Sequence, residues 1–165
     1  MPGSYTTAET LESMAEEIIG QHHPHLGTAR ILYLFCEKAG KKNGVELLGK
    51  VEKLSGWKEY ILEKDFRMEV PLDKWNDLSE EQRRALIDHL LERCYGEEEE
   101  ETGEMKWKVR DPDVQEFSGI LRRHGAWHEG LRTFVEVAHG VKIDDIIEEE
   151  TGIDADELVE VETTE

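Results

Sequence analysis

The chain has only two cysteines, Cys36 and Cys94, and no CxxC spacing. A cysteine-based zinc site is therefore unsupported. No apolar run approaches the length needed to cross a bilayer. The start, Met1–Glu12, is polar and acidic, without the basic and apolar regions of a secretory leader. On that reading the protein is expected in the cytoplasm, with both thiols reduced; whether they pair is a question of distance, which sequence does not give. Basic residues are also scarce: 20 Lys and Arg face 39 Asp and Glu, for a formal net charge of −19. That balance repels phosphate backbones and argues against nucleic-acid binding. No glycine-rich phosphate loop and no nucleophile elbow is present.

What is present is a globular composition, 38% hydrophobic and 36% charged over 165 residues, enough for one domain with a core. Thr7–Gly20 carries Leu11, Met14, Ala15, Ile18 and Ile19 at helical spacing, with Gly20 as the expected stop and His22-His23-Pro24-His25 as a turn. Ala29–Cys36 reads as a buried strand, Asn43-Gly44 as a hairpin signal, Val45–Leu54 as a second strand and Asp65–Val70 as a third, with one polar face. Gly56–Leu62 is a connector with helical character. Ser79 and Gln82 form a capping box that opens a central helix, expected over Leu78–Tyr95, with Ala85, Leu86, Ile87, Leu90, Leu91 and Cys94 on its apolar stripe and Gly96 as its end. The glutamate run Glu97–Glu101 reads as a loop, Met105–Val109 as a short strand, and Asp113–His124 and Trp127–His139 as helices. The four tryptophans are expected to pack inside, and Arg122-Arg123-His124, the one concentrated basic patch, to pair with the acidic surface. The fold class is α+β: a small antiparallel sheet on a central helix, in one domain over 1–140 followed by a loosely packed acidic tail over 141–165.

The chemistry centres on Asp88-His89-Leu90-Leu91-Glu92-Arg93-Cys94. Two histidines four apart on a helix face one side and can share a zinc ion, and a glutamate beside the first can act as general base. Here His89 stands at the first ligand position, Leu90 where the base would be and Arg93 where the second ligand would be. Leucine takes no proton, and a guanidinium stays cationic and is not a metal ligand at neutral pH.

Ala29–Cys36, Leu47-Leu48-Gly49-Lys50, Trp75 with Leu78–His89, Asp111–Phe117 and Arg123–Trp127 together resemble the putative phage metallopeptidase family, over residues 15–130. The resemblance implies a zincin-like fold and a phage or prophage origin. The family's helix motif is Asp-His-Glu-x-x-His-Cys; this chain keeps Asp88, His89 and Cys94 and departs at Leu90 and Arg93. The departures fall on the base and a ligand, so peptidase activity is not carried across.

A residual zinc site would draw on His89, Glu92 and His124. Otherwise no cofactor is expected: His89 is then a partly buried histidine, and Arg93 occupies the metal position and pairs with Glu92 or Glu116. Cys94 is expected to be a core thiol. The leading expectation is a metallopeptidase-like protein without catalysis that binds a protein partner, with a host-encoded protein among the candidates. Two others are an acidic interaction protein that imitates DNA, and an active zinc metallopeptidase with an atypical ligand set. Substrate, partner and oligomeric state are not legible.

Overall fold

The computed structural model of the protein describes residues 4–151, and the surroundings of side chains up to 140. The chain divides into two compact units, Met1–Asp111 and Pro112–Glu165.

The first unit opens with strand β1 (Tyr5–Thr7) and helix α1 (Glu9–His22). Gly20 does not stop α1: glycine lowers helix propensity but ends a helix chiefly when it turns left-handed, and Gly20 is not among the positive-φ glycines. The helix ends where Pro24 forces its predecessor out of the helical region: His23 has φ −127° and ψ 53°, and a single 3-10 turn, Pro24–Leu26, follows. Strand β2 (Ile31–Cys36) comes next. A tight hairpin, β3 (Lys41–Lys42) and β4 (Val45–Glu46), turns at Asn43 and Gly44, both with positive φ, as the sequence led us to expect. The expected strand Val45–Leu54 is broken. Its first part is β4, its second is β5 (Lys50–Lys53), and Leu47–Gly49 lies between them as a separate segment. Helix α2 (Trp57–Leu62), strand β6 (Phe66–Pro71), helix α3 (Leu72–Asp77) and helix α4 (Glu80–Glu92) follow.

The main sheet has the order β1-β2-β6-β5. It is mixed, not antiparallel: β2 and β6 pair in parallel, from Ile31 opposite Phe66 to Cys36 opposite Pro71, while β1 and β5 flank them antiparallel. The parallel register has a visible anchor. Asp65 is buried just before β6, and its carboxylate accepts from the backbone N of Arg30 at 2.8 Å and from that residue's Nη2 at 2.9 Å, just before β2. Such charge-assisted bonds hold the two strand starts side by side.

Phe66, Met68 and Val70 of β6 join Leu11, Ala15 and Ile18 of α1 and Ile87, Leu90 and Leu91 of α4 in one core. Each of these fully buried side chains larger than alanine contributes roughly 1.5–3 kcal/mol. The other face of β6 is not the open polar face its alternation suggested. Glu69 is buried there, bonded to Lys50 Nζ at 2.8 Å; its second oxygen and Arg67 Nε lack hydrogen bonds but face each other at 3.5 Å. Arg84 forks onto Glu17 at 2.9 and 3.1 Å, tying α4 to α1.

Helix α4 begins with the expected capping box: Gln82 N donates to Ser79 Oγ and Ser79 N donates to Gln82 Oε1. It ends at Glu92, earlier than Tyr95, because Cys94–Glu98 forms strand β7, paired antiparallel with β8 (Met105–Val109). Ala85, expected on the buried stripe, is exposed. Part of the glutamate run is therefore strand rather than loop, and its charges meet lysines across the hairpin: Lys108 Nζ lies 2.5 Å from Glu97, and Lys106 bonds Glu99. Trp75 and Trp107 are buried as expected, but Trp57 and Trp127 are exposed.

In the second unit, α5 spans Ser118–His124 and α6 spans Glu129–Thr151. Asp113 does not open α5, and Phe117, expected on its inner face, is its N-cap residue and 80% exposed. Leu131 is buried, while Phe134 and Val135 are exposed. Arg122, Arg123 and His124 occupy the last turn of α5 and make no ion pair among the described residues; there they complement the negative end of the helix dipole. Helix α6 runs through the position where the tail was expected to begin, and residues 152–165 of that tail lie outside the described residues. Among the described residues, no helix is long and apolar enough to cross a membrane.

Gly96, expected to end the central helix, instead lies in β7 opposite Trp107. A Cβ there would stand 2.6 Å from the indole, which packs edge-on against Phe66 with ring centroids 5.7 Å apart. Gly96→Ala is expected to lower stability by about 1–3 kcal/mol, read as an earlier urea midpoint with an unchanged slope.

Candidate functional site

The motif residues of α4 point in different directions, as a helix of 3.6 residues per turn requires. His89 is exposed, not partly buried as expected. Leu90 is 2% exposed and belongs to the core. Its Cδ1 lies where a Cβ on Gly49 would come within 2.8 Å, so the absence of a side chain at residue 49 lets the Leu47–Gly49 segment lie against α4 without displacing Leu90. Arg93 caps the helix. Its Nε donates to the carbonyl of Arg110 at 3.1 Å, and its Nη2 to the Asp111 carboxylate at 3.4 Å. Glu92 does not pair with Arg93: its carboxylate and its carbonyl both accept from Arg110. Glu116 belongs to the second unit, where it accepts from Phe117 N at 2.8 Å and Trp127 Nε1 at 3.1 Å. These bonds hold the Glu116 carboxyl below the usual range, the Phe117 amide most of all.

The 22–25 turn has a larger role than the sequence suggested. His23 is 2% exposed, and its Nε2 donates to Asp88 Oδ1 at 2.6 Å; its Nδ1 stands 3.7 Å from Glu92 Oε2. His25 meets His23 edge to face at 5.8 Å, and its Nε2 donates to the Cys94 carbonyl at 3.3 Å. Asp88 of the motif is thus a tether for the end of α1. Sixty-five residues separate the partners, so no local spacing could have announced the contact. Cys94 is the core thiol expected: burial pushes it up to about 12, and its Sγ donates to the Leu90 carbonyl. Cys36 is also raised, first by burial and then by Glu69, but it is only half-buried; both cysteines are free.

The residues named for a zinc site are placed as follows. His89 projects from the exposed side of α4, Glu92 is engaged by Arg110, and His124 lies at the end of α5 in the second unit. Among the described residues no group of three or more His, Cys, Asp or Glu is arranged to hold a metal. A catalytic zinc needs three ligands and an open position. The donor set on α4 does not fit one, because the second position carries a cation that is itself hydrogen-bonded.

His89 and Arg93 do share a cavity. A groove of about 560 Å³ runs between α4 and the Leu47–Gly49 segment, walled by Leu47, Leu48, Ala85 and Leu86 as well as by His89 and Arg93, with the buried Leu90 also on its lining. A second cavity, about 480 Å³, shares Leu47 and Gly49 as a wall and is lined by Cys36, Lys50 and Glu69.

The family model described as Putative phage metallopeptidase matches residues 3–139. No curated protein matches the chain, and no solved structure does.

Two variants probe the tether and the thiols. Asp88→Ala leaves the buried His23 Nε2 without a partner and should cost about 1–3 kcal/mol in urea unfolding. A thiol-exchange titration of the native protein at pH 8 should react quickly at Cys36 alone, with Cys94 reacting only after denaturation; equal rates in the native protein would contradict the burial of Cys94.

Proposed function

Because the chain belongs to the putative phage metallopeptidase family, we propose that it is a metallopeptidase-like binding protein that does not hydrolyse peptides through a zinc ion on α4. The observation that supports this most directly is Leu90. The position that would hold a proton-accepting carboxylate beside His89 is filled by hydrocarbon that is 2% exposed and packed where Gly49 approaches. A general base must reach the water it activates. Restoring one here would place a carboxylate in the core. Arg93 adds a second obstacle, since a fixed positive charge at the other ligand position repels a divalent cation.

What such a protein retains is the groove. Its function is then to hold a segment of another protein, host-encoded if the chain acts during infection. The reading as a DNA mimic gains little from the glutamate run, because Glu97 and Glu99 are paired with lysines and cannot stand as a row of free phosphate-like charges.

Metal analysis of tag-free protein, with digestion of a quenched-fluorescence peptide pool in added zinc, tests the proposal. The expected outcome is substoichiometric zinc and no turnover, in the native chain and in His89→Ala alike. Stoichiometric zinc that His89→Ala removes would overturn it. Leu90→Glu alone should cost about 3–5 kcal/mol, the penalty of an unpaired buried charge; an unchanged unfolding midpoint would show that the position is free to face the groove.

A further inference from the structure

We infer that the groove beside α4 binds the C-terminal end of an apolar peptide, with the Arg93 guanidinium, assisted by His89, holding the terminal carboxylate. This rests on the reading above, that no zinc occupies the site.

The groove is lined along α4 from Gln82 through Ala85, Leu86 and His89 to Arg93. Eleven residues of helix rise about 16 Å, the length of about five residues of extended chain. Its middle is apolar and its polar chemistry is at the ends. Arg93 stands at one end with capacity left over. Of the five N–H groups of a guanidinium, its Nε and one on Nη2 are used, and Nη1 has no partner among the described residues. Its ion-pair partner among the described residues, Asp111, is itself largely exposed at 3.4 Å, so the pair is weak and screened. His89, one turn back on the same wall, is exposed and has no hydrogen-bond partner among the described residues. The groove's own carboxylate, Glu46, is neutralised by Lys74 at 2.5 Å.

An anion is the complement of that end, and a planar carboxylate is the anion a guanidinium fork matches best. A chain terminus suits the lining better than an acidic side chain in mid-peptide: the apolar walls lie along α4 on the N-terminal side of Arg93, so an apolar peptide laid on them meets the cation at its end. The net charge of −19 selects in the same direction. It penalises peptides with several carboxylates and leaves those with a single negative charge. The C-terminus of α4 does not favour an anion, so recognition must come from the Arg93 side chain itself.

The test uses the full chain and three pools of amino-terminally labelled pentapeptides built from Leu, Val, Ile and Phe: free acids, C-terminal amides, and amides with one internal glutamate. Fluorescence anisotropy should show the free-acid pool binding at least tenfold tighter than either amide pool. Arg93→Gln, checked for an unchanged melting temperature, should erase that preference, and Arg93→Lys should restore part of it. The inference is overturned by equal binding of acid and amide pools, by a preference that survives Arg93→Gln, or by an internal-glutamate pool that binds as well as the free acids. Mass spectrometry of the same mixtures with added zinc keeps the two readings apart: cleaved peptide would overturn the non-hydrolytic function, whereas intact peptide without an acid preference would overturn only the carboxylate site.

Discussion

The approach of Gly49 to Leu90 is the constraint around which the first unit is arranged. A side chain at 49 would stand 2.8 Å from Leu90 Cδ1 and 3.3 Å from the carbonyl of Glu69. With none there, the Leu47–Gly49 segment lies against both α4 and β6. That close pass delivers β5 to the edge of β6, which puts Lys50 beside the buried Glu69. It seals Leu90 into the core and leaves a groove between the segment and the exposed side of α4. The same contact that stabilises the sheet therefore packs Leu90 into the core at the floor of the groove, beside the exposed His89.

Electrostatics finishes what packing begins. A chain this acidic repels itself, and its scarce cations are placed where they hold elements together. Arg84 forks onto Glu17 between α4 and α1, Arg30 joins Asp65 at the starts of the central strands, and Arg110 receives the end of α4 through Glu92. His23 does the same from within, against Asp88. Arg93 differs in that its hydrogen bonds among the described residues leave part of the guanidinium free and its charge faces a cavity.

The elements whose signals are local were legible. Ser79 with Gln82, Asn43 with Gly44, and the alternation of Met105–Val109 each act over a few residues, and each appears where expected. So was the kinship: the quoted segments, between residues 15 and 130, fall within the region that the family model matches, residues 3–139. What could not be read depends on distant partners. The parallel pairing of β2 with β6 is set by Arg30 meeting Asp65, and period-two alternation does not distinguish strand directions. Gly96 looks like a helix stop until Trp107 is seen opposite it. His23 looks like a turn residue until Asp88 is seen beside it. At the site, the identities of His89, Leu90 and Arg93 were plain, but their separate environments were not.

The parallel pairing bears on how the chain reaches this structure. The two central strands are joined by a long excursion that includes the Asn43-Gly44 hairpin, β5 and α2. Closing that excursion costs entropy before the pairing of β2 with β6 repays it. Until then β2 offers an unpaired apolar edge to its surroundings. During synthesis, the interval between emergence of Cys36 and arrival of Phe66 is when the chain is most exposed to aggregation and to chaperone capture.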